Sequence, residues 1–257
     1  MNILQALILG IVQGITEWLP ISSSGHLVIA QKLIGLEVPV SFDVLLHFAT
    51  LLVIFLFFWR DIIKLAKSLF MLKTSTYEFK LSIYILVATI VTAIVVFPLK
   101  SIFESTFSNI WILGLGFLIN GMLLLFSEKH LGSKKVSAKS SALIGIAQGL
   151  SFLPSISRSG STIATALFLK IDKEEAFKFS FLIAIPAILG ASLLEIPALA
   201  TSGIALNALL AGFISSFIFG YLSLLVLKNM IAKNRFHYFA YYCIAIAITI
   251  FIIGFFF

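Results

Sequence analysis

The stretch Gln13-Gly-Ile-Thr-Glu-Trp-Leu-Pro-Ile-Ser-Ser-Ser-Gly-His26 interrupts an otherwise apolar segment, Met1–Ile34. A second apolar segment, Ala138–Leu169, is interrupted in the same way by Gln148-Gly-Leu-Ser-Phe-Leu-Pro-Ser-Ile-Ser-Arg-Ser-Gly-Ser-Thr162. A straight helix through lipid would not carry such a centre, because backbone polar groups exposed to lipid must satisfy one another. We therefore predict that both segments are re-entrant helical hairpins, which enter and leave the membrane on the same side.

The composition around these segments is that of a membrane protein. Of 257 residues, 60% are hydrophobic and only 11% are charged, and the mean hydropathy is +1.13. A soluble domain has about a quarter of its residues charged, whereas a helix that crosses a bilayer needs about 20 mostly apolar residues. The sequence predicts one all-α, polytopic membrane domain spanning residues 1–257. Six full spans are expected at Ser41–Trp59, Leu81–Leu99, Asn109–Phe126, Ala176–Ile196, Ile204–Leu227 and Phe236–Phe256.

The two interrupted segments are related to each other. Gln13-Gly14 recurs as Gln148-Gly149, and Ser24-Gly25 recurs as Ser159-Gly160, at an offset of 135 residues. The chain thus divides into repeat one, about 1–130, and repeat two, about 136–257, each a hairpin followed by three spans. Because three is odd, the second repeat must lie upside down relative to the first, as in transporters with inverted repeats.

The positive charges fit this arrangement. With the N-terminus outside, fifteen of the 18 lysine and arginine residues fall in inside segments, and only Lys32 and Lys100 fall outside. The remaining one, Arg158, lies within the second hairpin. Such a bias follows the positive-inside rule. The net charge of +7 is therefore interpreted as a determinant of membrane topology and not as a nucleic-acid surface.

The tips of the two hairpins suit an anion. After each proline, a serine and glycine run is predicted to open a new half-helix, whose first amides are unpaired and bind phosphate well. Gly25 and Gly160 allow a close backbone approach, and Arg158 can clamp a phosphate in bidentate fashion. Serines also cap and pack half-helices, and Gln13 with Gln148 could simply join the tips. The candidate substrate-binding residues are Gln13, Ser22, Ser24, Gly25, Ser157, Ser159, Gly160 and Thr162.

The first tip also carries groups for chemistry. Ser23 and His26 are three residues apart, so they share a helix face, and a hydroxyl beside an imidazole is a candidate nucleophile. His26 itself could accept a phosphoryl group. Glu17 could orient His26, act as acid or base, or hold a divalent cation. Asp43 and His47, four apart on the first span, are expected to have interfacial or packing roles.

The paired motifs resemble those of the undecaprenyl-diphosphate phosphatase family, also called the bacitracin-resistance protein family. Glu17–His26 resembles the family's glutamate-containing motif, and Pro154–Thr162 resembles its Pro-x-x-Ser-Arg-Ser-Gly-x-Thr motif. One departure is Gln13, where many members carry a second acid. The resemblance implies hydrolysis of undecaprenyl diphosphate to the monophosphate, which recycles the lipid carrier for cell-wall polymers.

The same resemblance implies the site and its setting. Glu17, Ser23, His26 and Arg158 would be the catalytic set, working with a divalent cation such as Mg²⁺ or Ca²⁺. The active site would open to the outer face of the cell membrane, and the resemblance leaves a homodimer open.

A rival interpretation is a transporter or flippase for a phosphorylated polyprenyl lipid, since broken midplane helices are typical of transporters. A carrier needs charge complementarity, but it needs no nucleophile beside a base.

Overall fold

The computed structural model describes residues 1–106, 109–127 and 132–256. Within these ranges the protein is all-helical and has no strand, as predicted. The eleven helices are α1 (Ile3–Trp18), α2 (Ser23–Leu33), α3 (Val40–Phe57), α4 (Trp59–Phe70), α5 (Tyr77–Thr106), α6 (Ile110–Ser127), α7 (Ala138–Leu150), α8 (Arg158–Phe168), α9 (Lys173–Ala200), α10 (Leu206–Ala232) and α11 (His237–Phe256).

The six predicted spans are confirmed as α3, α5, α6, α9, α10 and α11, each long and apolar enough to cross a membrane. Large apolar side chains such as Ile94 and Phe97 lie exposed on their outer surfaces, which is the surface that lipid covers. Some helices are longer than predicted because they continue into capped polar ends. At the start of α9, for example, the Asp172 carboxylate accepts hydrogen bonds from the amides of Glu174 and Glu175.

Helix α4 was not predicted. The first span was expected to end at Trp59, but α3 ends at Phe57 and α4 begins at Trp59. With 12 residues, α4 is too short to span a bilayer. It buries Leu65 and Ser68 and exposes a basic face that includes Lys64. The search for long apolar runs overlooked α4 because its apolar residues recur with helical spacing along only one side.

Each interrupted segment forms two helices joined by a short break. The chain turns between α1 and α2 at Leu19–Ser22, and between α7 and α8 at Ser151–Ser157. Ser22 and Ser155 have positive φ angles of 70° and 64°, which turn the chain sharply at the two tips. The re-entrant path through the membrane stays a prediction.

In four of the contacting helix pairs, one helix comes from the first half of the chain and the other from the second half. Helix α1 packs on α10, and its counterpart α7 packs on α5, while α3 pairs with α9 and α6 with α11. Polar contacts repeat this pairing, because Ser223 Oγ donates to the Gly14 carbonyl at 2.7 Å and Thr92 Oγ1 to the Gly145 carbonyl at 3.0 Å. A two-fold relation between the halves produces such a pattern. The inverted orientation stays a prediction, and the repeat boundary near residue 130 lies outside the described residues.

We expect Gly14→Val to destabilise the fold. A Cβ atom at Gly14 would lie 2.6 Å from the Ser216 carbonyl oxygen and 2.7 Å from the Gly220 nitrogen, so α1 and α10 would have to separate. Overpacking of this kind costs about 1–3 kcal/mol. Thermal unfolding in detergent should show a lower midpoint. At Gly190 a Cβ meets no heavy atom within 4 Å, so Gly190→Ala is the control and should not lower it. Equal midpoints for both variants would contradict the close approach.

Candidate functional site

In both hairpin tips, a serine side chain caps the N-terminus of the second helix. Ser22 caps α2 and its hydroxyl accepts the Gly25 amide at 3.3 Å, while Ser157 caps α8 and accepts the Gly160 amide at 3.1 Å. The structure thus confirms that a new helix opens after each proline. The other first-turn amides of both helices keep their partial positive charge.

An ion pair joins the two tips. Arg158 Nη2, at the start of α8, donates to Glu17 Oε1, near the end of α1, although the two residues are 141 positions apart. Both side chains are largely buried, and the guanidinium carbon lies 5.2 Å from the centre of the Trp18 ring. The sequence hypothesis placed Glu17, Ser23, His26 and Arg158 in one site. The structure brings Glu17 into direct contact with Arg158, whereas His26 is not part of the cavity lining.

The other carboxylate oxygen, Glu17 Oε2, has three further contacts. Ser23 Oγ donates to Glu17 Oε2 at 2.6 Å, and Gln13 Nε2 donates to the same oxygen at 2.9 Å. His47 Nε2 lies 3.3 Å from it. Because His47 Nδ1 lies 2.7 Å from the Asp43 carbonyl, which can only accept, that nitrogen carries a proton. The ring donates to Glu17 as well only when both nitrogens are protonated.

His26 points away from this cluster, which corrects the predicted Ser23–His26 pair. Its Nδ1 donates to the Ser22 carbonyl at 2.7 Å, and its Nε2 lies 2.7 Å from the hydroxyl of Tyr242 on α11. The ring stacks on Tyr242 and meets Phe117 edge-on. The carboxylate of Glu17 is a stronger acceptor for Ser23 than a neutral imidazole, while α6 and α11 supply aromatic partners for His26.

A cavity of about 730 Å³ opens beside the tips. Of the predicted site residues, its lining includes Glu17, Ser22, Ser23, Ser24, Ser157 and Arg158. Its other walls come mainly from α2, α3, α7 and α9 and are mostly apolar, as at Val28, Val44 and Ile188. The cavity therefore combines a charged end with a long apolar surface.

The remaining predicted binding residues lie behind the lining. Gln13 supports Glu17, Ser159 bonds Ser157 at 3.1 Å, and Thr162 bonds Ser180 at 2.5 Å. Gly25 allows the tip to approach Phe117, and Gly160 allows it to approach Asn120. These five residues shape the tips, and the structure does not bring their side chains to the cavity wall.

The cavity also contains residues that the sequence reasoning set aside. Asp43 and His47 were expected to have interfacial or packing roles, yet both line the cavity beside Gln31, whose amide donates to Asp43 at 3.0 Å. The available signal was an acid and an imidazole four apart in an otherwise apolar span, since polar groups at that depth are costly. Asn120 and Tyr242, which contact the tips from α6 and α11, were missed altogether.

The described side chains do not form a protein-only metal site. No group of three or more histidine, cysteine, aspartate or glutamate side chains among them is arranged to hold an ion. Both oxygens of Glu17 are already engaged by Arg158, Ser23, Gln13 and His47. A cation at Glu17 would have to displace the guanidinium or take most of its ligands from a bound substrate.

Comparison with known proteins gives a single family. The family described as "Bacitracin resistance protein BacA" matches residues 6–249. This chain belongs to that family.

Several relatives carry one name. The chain is 44% identical to an undecaprenyl-diphosphatase of Methanosphaera stadtmanae, over 99% of each chain. It is 42% identical to one of Thermosipho africanus, over 96% of this chain and 99% of the relative. A Korarchaeum cryptofilum undecaprenyl-diphosphatase is 39% identical, over 97% and 98%. The family resemblance stated from the two motifs is thereby confirmed over nearly the whole chain.

His47 should matter for activity in this member of the family. We expect His47→Leu to lower kcat/KM about tenfold, because in the doubly protonated form the ring donates to Glu17, and a hydrogen bond to a charged group contributes about 1.5–3 kcal/mol. His47→Gln keeps an N–H donor and should lose less. Phosphate release by both purified variants, with circular dichroism to check folding, measures the effect. If His47→Leu turned over at the wild-type rate, the imidazole would have only a packing role.

Proposed function

We propose that this protein hydrolyses undecaprenyl diphosphate to the monophosphate and inorganic phosphate, recycling the lipid carrier for cell-wall polymers. The observation that carries the proposal is the cluster of Glu17, Ser23 and Arg158 at the charged end of an otherwise apolar cavity. The names of the relatives support the same activity. The cavity's apolar walls suit the polyprenyl chain, and its charged end suits the diphosphate.

Substrate binding would use the positive groups of both tips. The guanidinium of Arg158 can take two phosphate oxygens at once. The first-turn amides of α2 and α8 add partial positive charge from either side. In this arrangement Arg158 shifts part of its hydrogen bonding from Glu17 to the diphosphate, which leaves Glu17 free to accept a proton.

The geometry favours Ser23 as the phosphoryl acceptor. Its hydroxyl already donates to Glu17 Oε2 at 2.6 Å, so Glu17 can take the proton as Ser23 Oγ attacks the terminal phosphorus. A new Oγ–phosphorus bond forms, and the bond from that phosphorus to the bridging oxygen breaks, which releases the lipid monophosphate. Glu17 passes the serine proton to the departing lipid monophosphate and is ionised again. Water then attacks the phosphoserine and gives a proton to Glu17, which returns it to Ser23 Oγ as the Oγ–phosphorus bond breaks, so that inorganic phosphate and the free serine are released. Arg158 stabilises the charge on the transferred group in both steps.

His26 enters this scheme as a support for the tip. It bonds the Ser22 carbonyl and Tyr242, and so holds the first turn of α2 that presents Ser23. Family resemblance also assigns His26 to the catalytic set, and a direct part in phosphoryl transfer would require its ring to leave Tyr242.

We propose that the protein lies in the plasma membrane with the cavity open to the outer face. The six apolar helices support a multi-pass membrane protein. The proposed orientation rests on the excess of lysine and arginine in the segments that this topology puts inside.

Turnover should depend on the ion pair. We expect Arg158→Lys to lower kcat/KM at least tenfold, since lysine keeps the charge beside Glu17 but cannot grip two phosphate oxygens, and Ser23→Ala to abolish release of phosphate. Release of inorganic phosphate from undecaprenyl diphosphate by purified protein in detergent measures both. Lys178→Gln, which breaks the half-exposed pair with Asp61, is the control and should retain turnover. Near-normal rates in Arg158→Lys and Ser23→Ala together would refute the proposed site.

The same assay separates the enzyme from a flippase or transporter of a phosphorylated lipid. The packing between helices of the two halves favours such a rival, because transporters are often built from related halves. In detergent there are no compartments, so a carrier gives no product while a phosphatase still releases phosphate. A wild-type protein that folds, binds the lipid and releases no phosphate would favour the carrier.

We also propose that a divalent cation, Mg²⁺ or Ca²⁺, takes part together with the diphosphate. Such an ion neutralises phosphate charge when bound. We expect a chelator to suppress turnover and added Mg²⁺ or Ca²⁺ to restore it. Because the described side chains form no three-ligand metal cluster, calorimetry without substrate should show no tight cation binding. Full activity in the chelator would remove the ion from the proposal.

A further inference from the structure

Asn120, on α6, lies between the two hairpin tips and bonds both of them. Its Nδ2 donates to the Pro20 carbonyl at 2.8 Å, and its Oδ1 accepts from the Ser157 amide at 3.2 Å. Only this orientation of the amide satisfies both partners, because a carbonyl accepts and a backbone N–H donates. The side chain is 0% exposed, so both bonds are shielded from solvent.

The two bonded backbone groups belong to the segments that carry the chemistry. Pro20 comes three residues before Ser23, and Ser157 immediately precedes Arg158. One side chain therefore connects the segment that holds the phosphoryl acceptor to the segment that holds the guanidinium. Direct contact between the tips is sparse by comparison. Ser159 Oγ reaches the Leu19 carbonyl at 3.4 Å, and Arg158 contacts Glu17 and the Trp18 ring.

The neighbouring turn of α6 fits closely against both tips. A Cβ atom on Gly116 would lie 2.1 Å from the Pro154 carbonyl oxygen, and a Cβ atom on Gly25 would lie 2.7 Å from the ring of Phe117. This turn of α6 is thus in contact with the first tip and the second tip at once. This close packing, one turn before Asn120, holds α6 against both tips and so fixes the backbone that carries the Asn120 amide.

We propose that Asn120 is a positioning residue for the phosphatase reaction: its amide sets the separation of the Pro20 and Ser157 segments, and so the placement of Ser23 relative to Arg158. This inference rests on the proposed function. When substrate draws Arg158 toward the diphosphate, the ion pair with Glu17 weakens, whereas Asn120, which does not line the cavity, keeps its bonds to both tips. A misplacement of reacting groups by about 1 Å can lower a rate about 100-fold.

The first test compares Asn120→Ala with a matched control. Cys243 Sγ lies 3.3 Å from the Asn120 amide and reaches the Pro20 carbonyl at 3.8 Å, so Cys243→Ala alters the same buried spot and keeps the two bonds that Asn120 makes to the tips. We expect Asn120→Ala to lower kcat for undecaprenyl diphosphate 10- to 100-fold with KM changed much less, since the apolar walls that hold the lipid chain are untouched. Cys243→Ala should keep both constants near wild type.

The second test uses Asn120→Asp and the pH of the assay. A protonated carboxyl has one O–H donor and one free acceptor oxygen, the same pair of functions that Asn120 uses, whereas an ionised carboxylate has acceptors only. Burial favours the neutral carboxyl, so the activity of Asn120→Asp should come nearest to wild type at the low end of a range from about pH 8 to about pH 5. Division by the wild-type rate removes the pH dependence that both proteins share through Glu17 and His26, and the same comparison in a Cys243→Ala background removes any effect of the new carboxyl on the Cys243 thiol. Asn120→Ala should show a flat ratio.

The following results would decide whether Asn120 positions the two tips. An Asn120→Ala protein with wild-type kcat overturns the positioning role, and so does a folded Asn120→Asp protein whose activity stays far below wild type at about pH 5, where a buried carboxyl is protonated. If Asn120→Ala does not fold, as judged by its thermal unfolding, the Asp variant decides alone. Failure of the proposed function has a different signature, namely a folded wild-type protein that releases no phosphate at any pH.

Discussion

The ion pair between Glu17 and Arg158 is the interaction on which the rest of the site depends. Two opposite charges buried at the break of two helices are expensive to desolvate, and their attraction offsets that cost only when hydrogen bonds engage the remaining atoms. The contacts from Ser23, Gln13 and His47 do this for Glu17. If one charge of such a pair moves away, the other remains buried without its partner. An anion that binds Arg158 therefore also changes the surroundings of Glu17.

The helices around the tips form a rigid frame for this pair. Helix α1 is held by α10 and α7 by α5, each through small residues and a hydroxyl that bonds the facing backbone. Such close packing is the usual way in which membrane helices associate, because lipid provides no hydrophobic force between them. The broken ends of α1 and α7 are consequently fixed in space, while the polar breaks face a cavity in which their backbone groups can be satisfied.

The two halves are alike in architecture and unlike in chemistry. Ser22 and Ser157 cap α2 and α8 in the same way, but the next residue is the hydroxyl-bearing Ser23 in one half and the cationic Arg158 in the other. In the proposed mechanism, one half supplies the acceptor and its base, and the other supplies the anion clamp. A single repeat has only part of this set, so the proposed site is complete only where the two tips meet.

The sequence by itself determined the membrane setting, the six spans and the two broken segments. It also singled out Glu17, Ser23, His26 and Arg158 at the tips. Apolar runs, prolines and serine clusters are local features, and local features are readable from the chain. Helix α4, the partner of His26 and the place of His47 were decided by tertiary structure alone. Ser23 could bond either His26 or Glu17 by spacing, and only the packing of α6 and α11 around His26 directed it to the carboxylate. Likewise Asn120 is one amide in an apolar helix until folding brings Pro20 and Ser157, more than 100 residues apart, to its two ends.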